Sequence, residues 1–73
     1  MKALNANDAI KILRKAGFAF DRQAKGSHEI WHNQATGKRI VVPNHGSKDI
    51  PKKTIRKMIK QSGLSPEEFY SLS

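Results

Sequence analysis

From His28 to Pro43 the chain reads HEIWHNQATGKRIVVP. Two runs rich in β-branched and aromatic residues, 28–33 and 38–43, flank Gln34-Ala35-Thr36-Gly37, which has the composition of a hairpin loop. A four-residue loop pairs Asn33 with Lys38, and therefore His28 with Pro43. Pro43 cannot donate to a ladder and ends the second run. Upstream, Phe18 and Phe20 alternate with Ala19 and Asp21, which predicts a further strand from Phe18 to about Arg22. Residues 23–27 form the connecting loop, where Gly26 can take a backbone geometry closed to other residues. The result is a three-stranded antiparallel meander.

Helical patterns flank it. Before the meander, Ala6, Ala9, Ile10, Leu13 and Ala16 recur at helical spacing, with Asn5 or Asn7 as N-cap, Asp8 in the first turn and Gly17 as the stop. After it, a helix is expected from about Pro51 to Ser62, with Pro51 in the first turn and Asp49 serving the N-terminus. Ile55, Met58, Ile59 and Ser62 mark its inward stripe. Lys52, Lys53, Arg56, Lys57 and Lys60 form the opposite face, and Gly63 ends it. Ser65-Pro66-Glu67-Glu68 is a capping box with Pro at N1, opening a short terminal helix whose Phe69 and Leu72 can pack back. The expected fold is α+β, in the order α-β-β-β-α plus a short α, one domain over residues 1–73. Both main helices cover one sheet face and leave the other wet.

Composition narrows the function. At 73 residues the chain buries only about 60% of its unfolded surface, too little to enclose a large cofactor pocket. No apolar run approaches the ~20 residues of a membrane span, and the stretch MKALNANDAIKILRK lacks the continuous apolar core of a secretion signal. Cysteine is absent, which excludes disulfides and thiolate metal sites and makes a reducing cytoplasm the simplest compartment. The net charge of +8 favours a polyanionic partner, nucleic acid first, with an anionic membrane surface or an acidic protein behind it. The charge is central. Residues 22–60 hold ten Lys and Arg against Glu29 and Asp49 alone, and the tail beyond Gln61 has no basic residue. Five cations without an acid on one helix face repel at i,i+4 spacing, and backbone phosphates would relieve them.

Histidine is the side chain suited to moving protons near neutral pH, and the chain has three. His28 and His32 have the spacing that binds zinc on a helix, but on a strand it separates them by roughly 13 Å, too far for one ion, and no metal is expected. His32 is read as structural, and Trp31 with Ile40 and Val42 as sheet core. The hairpin register puts His28 at the sheet end shared by Lys25, Gly26, Ser27 and the loop Asn44-His45-Gly46-Ser47-Lys48. A histidine among cations suits phosphodiester chemistry. RNA brings its own nucleophile, a histidine moves a proton, and lysines stabilise the charge that builds on phosphorus.

The segment Arg22-Gln23-Ala24-Lys25-Gly26-Ser27-His28 resembles the Arg-x-x-x-Gly-Ser-His segment of HicA-type (YcfA-like) toxins, small mRNA interferases of toxin–antitoxin systems. Val42-Pro43-Asn44-His45-Gly46-Ser47-Lys48-Asp49-Ile50 is similar to the family's Val-Pro-x-His-x-x-Lys-x-Ile/Leu run. Ile59-Lys60-Gln61-Ser62-Gly63-Leu64 with Glu67-Glu68-Phe69 resembles its C-terminal signature. The likeness spans nearly the whole chain. One departure is Lys53-Thr54, where the family usually opens the second helix with Gly-Thr. The resemblance implies a double-stranded-RNA-binding-domain-like fold, metal-independent mRNA cleavage with His28 as the catalytic group, no cofactor, and a HicB-type antitoxin that covers the site. Arg22, Lys25, Ser27, Lys48, Lys52, Lys53, Arg56 and Lys57 are the candidate RNA contacts, and the role of His45 is left open. The alternatives are a non-catalytic RNA-binding module on the same fold, and a protein-binding module whose basic face meets an acidic partner.

Overall fold

A computed structural model describes residues 3–73. The first two residues of the expected domain, where the N-terminal stretch begins, lie outside the described residues. The elements are α1 (Ala6–Lys15), β1 (Ala19–Gln23), β2 (His28–His32), β3 (Arg39–Pro43), α2 (Lys52–Ser62) and α3 (Pro66–Ser71). This is the expected α-β-β-β-α order with a short terminal helix. The sheet is antiparallel in the order β1-β2-β3.

Asn5, the first of the two expected caps, starts α1. Its side chain accepts the Asp8 N–H at 2.9 Å, and the Asp8 carboxylate accepts the Asn5 N–H at 3.1 Å. The helix buries Ala6, Ala9, Ile12 and Leu13. The expected stripe named Ile10 and omitted Ile12. The Ile12-Leu13 pair turns inward and leaves Ile10 half-buried at the stripe's margin. The helix ends in a Schellman arrangement. Gly17 has φ +97°, its N–H donates to Arg14 O, and the Phe18 N–H reaches back to Leu13 O at 2.9 Å. That bond commits Phe18 to the helix end and the core, so β1 begins one residue later than expected.

In β2 and β3 the register is the expected one, with His28 opposite Pro43 and Trp31 opposite Ile40. Between β1 and β2 it shifts between Phe20 and Arg22, leaving Asp21 in a bulge. One sheet face carries Trp31, Ile40 and Val42 into a core shared with Leu4, Ile12, Leu13, Ile55, Met58 and Phe69. The Arg14 guanidinium lies 5.4 Å from the centre of the Trp31 ring. The opposite face is open, and Val41 on it is 40% exposed.

Helix α2 buries the expected Ile55, Met58, Ile59 and Ser62. Its start differs from the expectation. Pro51 stands at the N-cap, outside the helix, and no side chain caps it. Asp49 is held elsewhere, bridged to Asn5, while the Ile50 N–H donates to Leu4 O at 2.7 Å and Ile50 enters the core. At the other end Gly63, φ +78°, terminates α2. A side chain on it would collide with the stem of Lys38. The capping box of α3 forms as expected between Ser65 and Glu68, and Phe69 is fully buried. Hydrogen bonds from Ser65 hold the Glu68 carboxyl below its ordinary range. No helix among the described residues is long and apolar enough to cross a membrane.

Candidate active site

His28 opens β2 at the end of the open sheet face. Its backbone is fixed from both sides. The N–H donates to Lys25 O at 3.3 Å, and the C=O accepts from the Ala24 N–H at 2.8 Å and from Gln23 Nε2 at 2.9 Å. Its side chain is exposed. Nothing in these bonds uses the imidazole, so it is available for chemistry while its base is rigid.

Beside it, α2 runs along β3, the edge strand. The Val41 N–H donates to Gln61 Oε1 at 3.2 Å, closing the strand edge against the helix. Between helix and strand is a cleft of about 310 Å³ lined by His28, Val41, Pro43, Thr54, Lys57, Met58 and Gln61. Its lining combines apolar side chains with the imidazole of His28 and the ammonium-bearing Lys57. Helix α2 has no acidic residue to neutralise Lys57.

Two loops frame the histidine and are tied to the core by side chains. Trp31 Nε1 donates to Glu29 Oε1 at 3.0 Å, and Asn44 Nδ2 donates to Glu29 Oε2 at 2.8 Å. Asn44 Oδ1 accepts the Gly46 N–H at 3.1 Å, an Asx turn that shapes the loop. The Asn44 N–H donates to Ser27 O, and Ser27 Oγ lies 3.1 Å from His45 Nε2. The expected clustering of 25–28 with 44–48 is therefore present, and its central contact is a Ser27–His45 hydrogen bond.

The candidate RNA contacts divide. Lys57 shares the cleft with His28, and Lys53 lies one helical turn before it. Arg56 instead lines a separate groove with Ile59, Lys60, Leu64 and Pro66, and Lys52 lies one turn before Arg56. Thus the five cations do not form one face toward His28. Lys25, Ser27 and Lys48 sit in the two framing loops. Arg22 is on β1, across β2 from the cleft, with its guanidinium 2.9 Å from the Asp21 carboxylate. His32 pairs with Arg39 and borders a different depression. Among the described residues no group of three or more His, Cys, Asp or Glu side chains is placed to hold a metal ion.

Thr54 and Gln61 were not among the expected site residues. The signal for them is the spacing 54, 57–58, 61, a second helical stripe adjoining the buried one. What the sequence lacks is any mark that this stripe faces β3.

No curated protein matches the chain. A family model described as the HicA toxin of bacterial toxin–antitoxin systems matches residues 6–64, from the first turn of α1 to just past the end of α2. That match takes in the whole sheet, both framing loops and every residue of the cleft. The chain belongs to the HicA toxin family.

Proposed function

We propose that this chain is an mRNA-cleaving toxin, acting as a single domain over residues 1–73 in the cytoplasm, with His28 as its catalytic group and without a metal ion or cofactor. The observation that carries the reading is the shared cleft of His28 and Lys57 in a HicA-family chain. The chemistry follows from the substrate. A proton leaves the RNA 2′-OH, and the 2′-oxygen bonds to the adjacent phosphorus. The bond from phosphorus to the 5′-oxygen breaks, and that oxygen gains a proton. The products are a 2′,3′-cyclic phosphate and a 5′-OH. His28 carries one of these two proton transfers. Lys57 stabilises the charge gathering on the phosphoryl oxygens. Of the sequence's other candidates, Lys25, Lys48 and Lys53 draw the strand in by phosphate attraction, which weakens as salt rises. A HicB-type antitoxin is the proposed partner, inhibiting by covering the cleft.

Expression of wild type and His28→Ala in a growing bacterium tests this reading. Growth arrest with fragmented mRNA from wild type, and neither from His28→Ala, is the expected result. Equal toxicity of the two would remove His28 from catalysis. RNA bound but never cut by wild type would favour the binding-module reading instead.

A further inference from the structure

The cleft beside His28 holds more than its charged wall requires. Capturing a phosphate needs cations, yet Val41 and Pro43 present apolar surface there, and Val41 is 40% exposed. Gln61 lies among them with its orientation decided. The Val41 backbone N–H can only donate, so the amide atom 3.2 Å from it is the acceptor Oε1. Gln61 Nε2, with two N–H donors, makes no hydrogen bond to any described residue. Thr54 adds a hydroxyl to the same lining. A flat apolar group with acceptors on its edge, joined to an anion, matches this combination.

We propose that the cleft is a subsite for one nucleobase, held against Val41 and Pro43 and read at its edge by Gln61 Nε2. This deepens the nuclease reading and rests on it. The bound base belongs to a nucleotide adjoining the cleaved linkage, whose phosphate lies toward Lys57 and His28. A volume of about 310 Å³ is at the small end of ligand sites, which suits one base and excludes a stacked run. Because Gln61 offers its donor end, the matched edge carries an acceptor, an exocyclic carbonyl of uracil, cytosine or guanine or a ring nitrogen of adenine. Gln61 is thus the residue that tells a base from bare sugar phosphate.

The test is a proton–nitrogen NMR titration of the full His28→Ala chain with each nucleoside 5′-monophosphate and with ribose 5-phosphate. Expected are shifts at the Val41 amide and Gln61 side chain with all four nucleoside monophosphates. Ribose 5-phosphate should shift them far less. Gln61→Glu keeps an oxygen for the Val41 N–H and removes both donors, so the sheet edge stays closed. It should weaken uridine monophosphate binding by about 2- to 10-fold more than it weakens ribose 5-phosphate binding. Equal shifts with uridine monophosphate and ribose 5-phosphate would overturn the base subsite while leaving phosphate capture and cleavage standing. The absence of any nucleotide-dependent shift in the cleft would also overturn it, as expected if the apolar residues serve a protein partner. Wild-type cleavage of RNA, measured separately, tells failure of the subsite from failure of the nuclease reading.

Discussion

At one end of β2 stands Asn33, and beside the other stands Asn44. Both shape a loop through a side-chain oxygen that accepts backbone N–H groups. The Asn33 oxygen takes those of Ala35 and Thr36, and the Asn44 oxygen takes that of Gly46. The difference lies in their other partners. Asn33 is buried and donates to Ala16 O at 3.2 Å, so its turn is locked to the end of α1. Asn44 donates to the Glu29 carboxylate, which also holds Trp31, and its loop carries His45 onto Ser27. At the first end the polar groups of Asn33 all go to backbone. The other fixes its backbone and leaves His28, Lys25 and Lys48 exposed. The same residue type thus serves architecture at one end and holds the chemistry in place at the other.

The two ends of β2 separate most clearly at His28. Removing a general acid or base costs about 10²- to 10⁴-fold in rate. His28→Ala should lose that much RNA cleavage with an unchanged melting temperature, because its side chain is exposed and its bonds are backbone bonds. Asn33→Ala should do the reverse. It removes a buried side chain and its hydrogen bonds to the backbone of Ala16, Ala35 and Thr36, costing about 1–3 kcal/mol of stability, and leaves the cleavage rate per folded molecule intact. Thermal melts paired with cleavage assays read both. If Asn33→Ala lost rate without stability, the division between the ends would fail.

Smaller effects sharpen the division. Lys57→Gln should lower kcat/KM about tenfold and flatten its salt dependence. Arg56→Gln, on the other side of α2, should change it much less. Equal losses would mean that the helix acts through summed charge and not through the cleft. The smallest effect is at α3. Ser65 lowers the Glu68 carboxyl, so its stabilisation is present at neutral pH and fades as pH falls through that depressed value. Acid should loosen α3 before the sheet. Glu68→Gln should abolish that step in a circular dichroism titration and leave cleavage alone.

Most of the fold was legible because it is local. The four-residue loop set the β2–β3 register. The Ile55-Met58-Ile59-Ser62 stripe and the Ser65 capping box each lie within a few residues. What escaped is tertiary. Ile12 replaced Ile10 in the core because the helix is rotated by what it packs on. Asp49 joins a backbone bridge to Asn5, far away in sequence, and no side chain caps α2. Arg22 turned to Asp21 at a bulge no spacing announced. The site divides the same way. The meeting of His28 with the loop at 44–48 followed from register. The cleft depends on Gln61 reaching Val41 across the edge of the sheet, which no pattern in either segment records.

The central claim is that the end of the sheet bearing His28 cuts RNA using the substrate's own 2′-OH. It is tested most directly by incubating purified wild type and His28→Ala with a defined mRNA in excess chelator and analysing the new ends. Fragments from wild type alone, with 2′,3′-cyclic phosphate and 5′-OH termini, are the expected result. Fragments ending in 5′-phosphate, or equal cleavage by a folded His28→Ala, would contradict it.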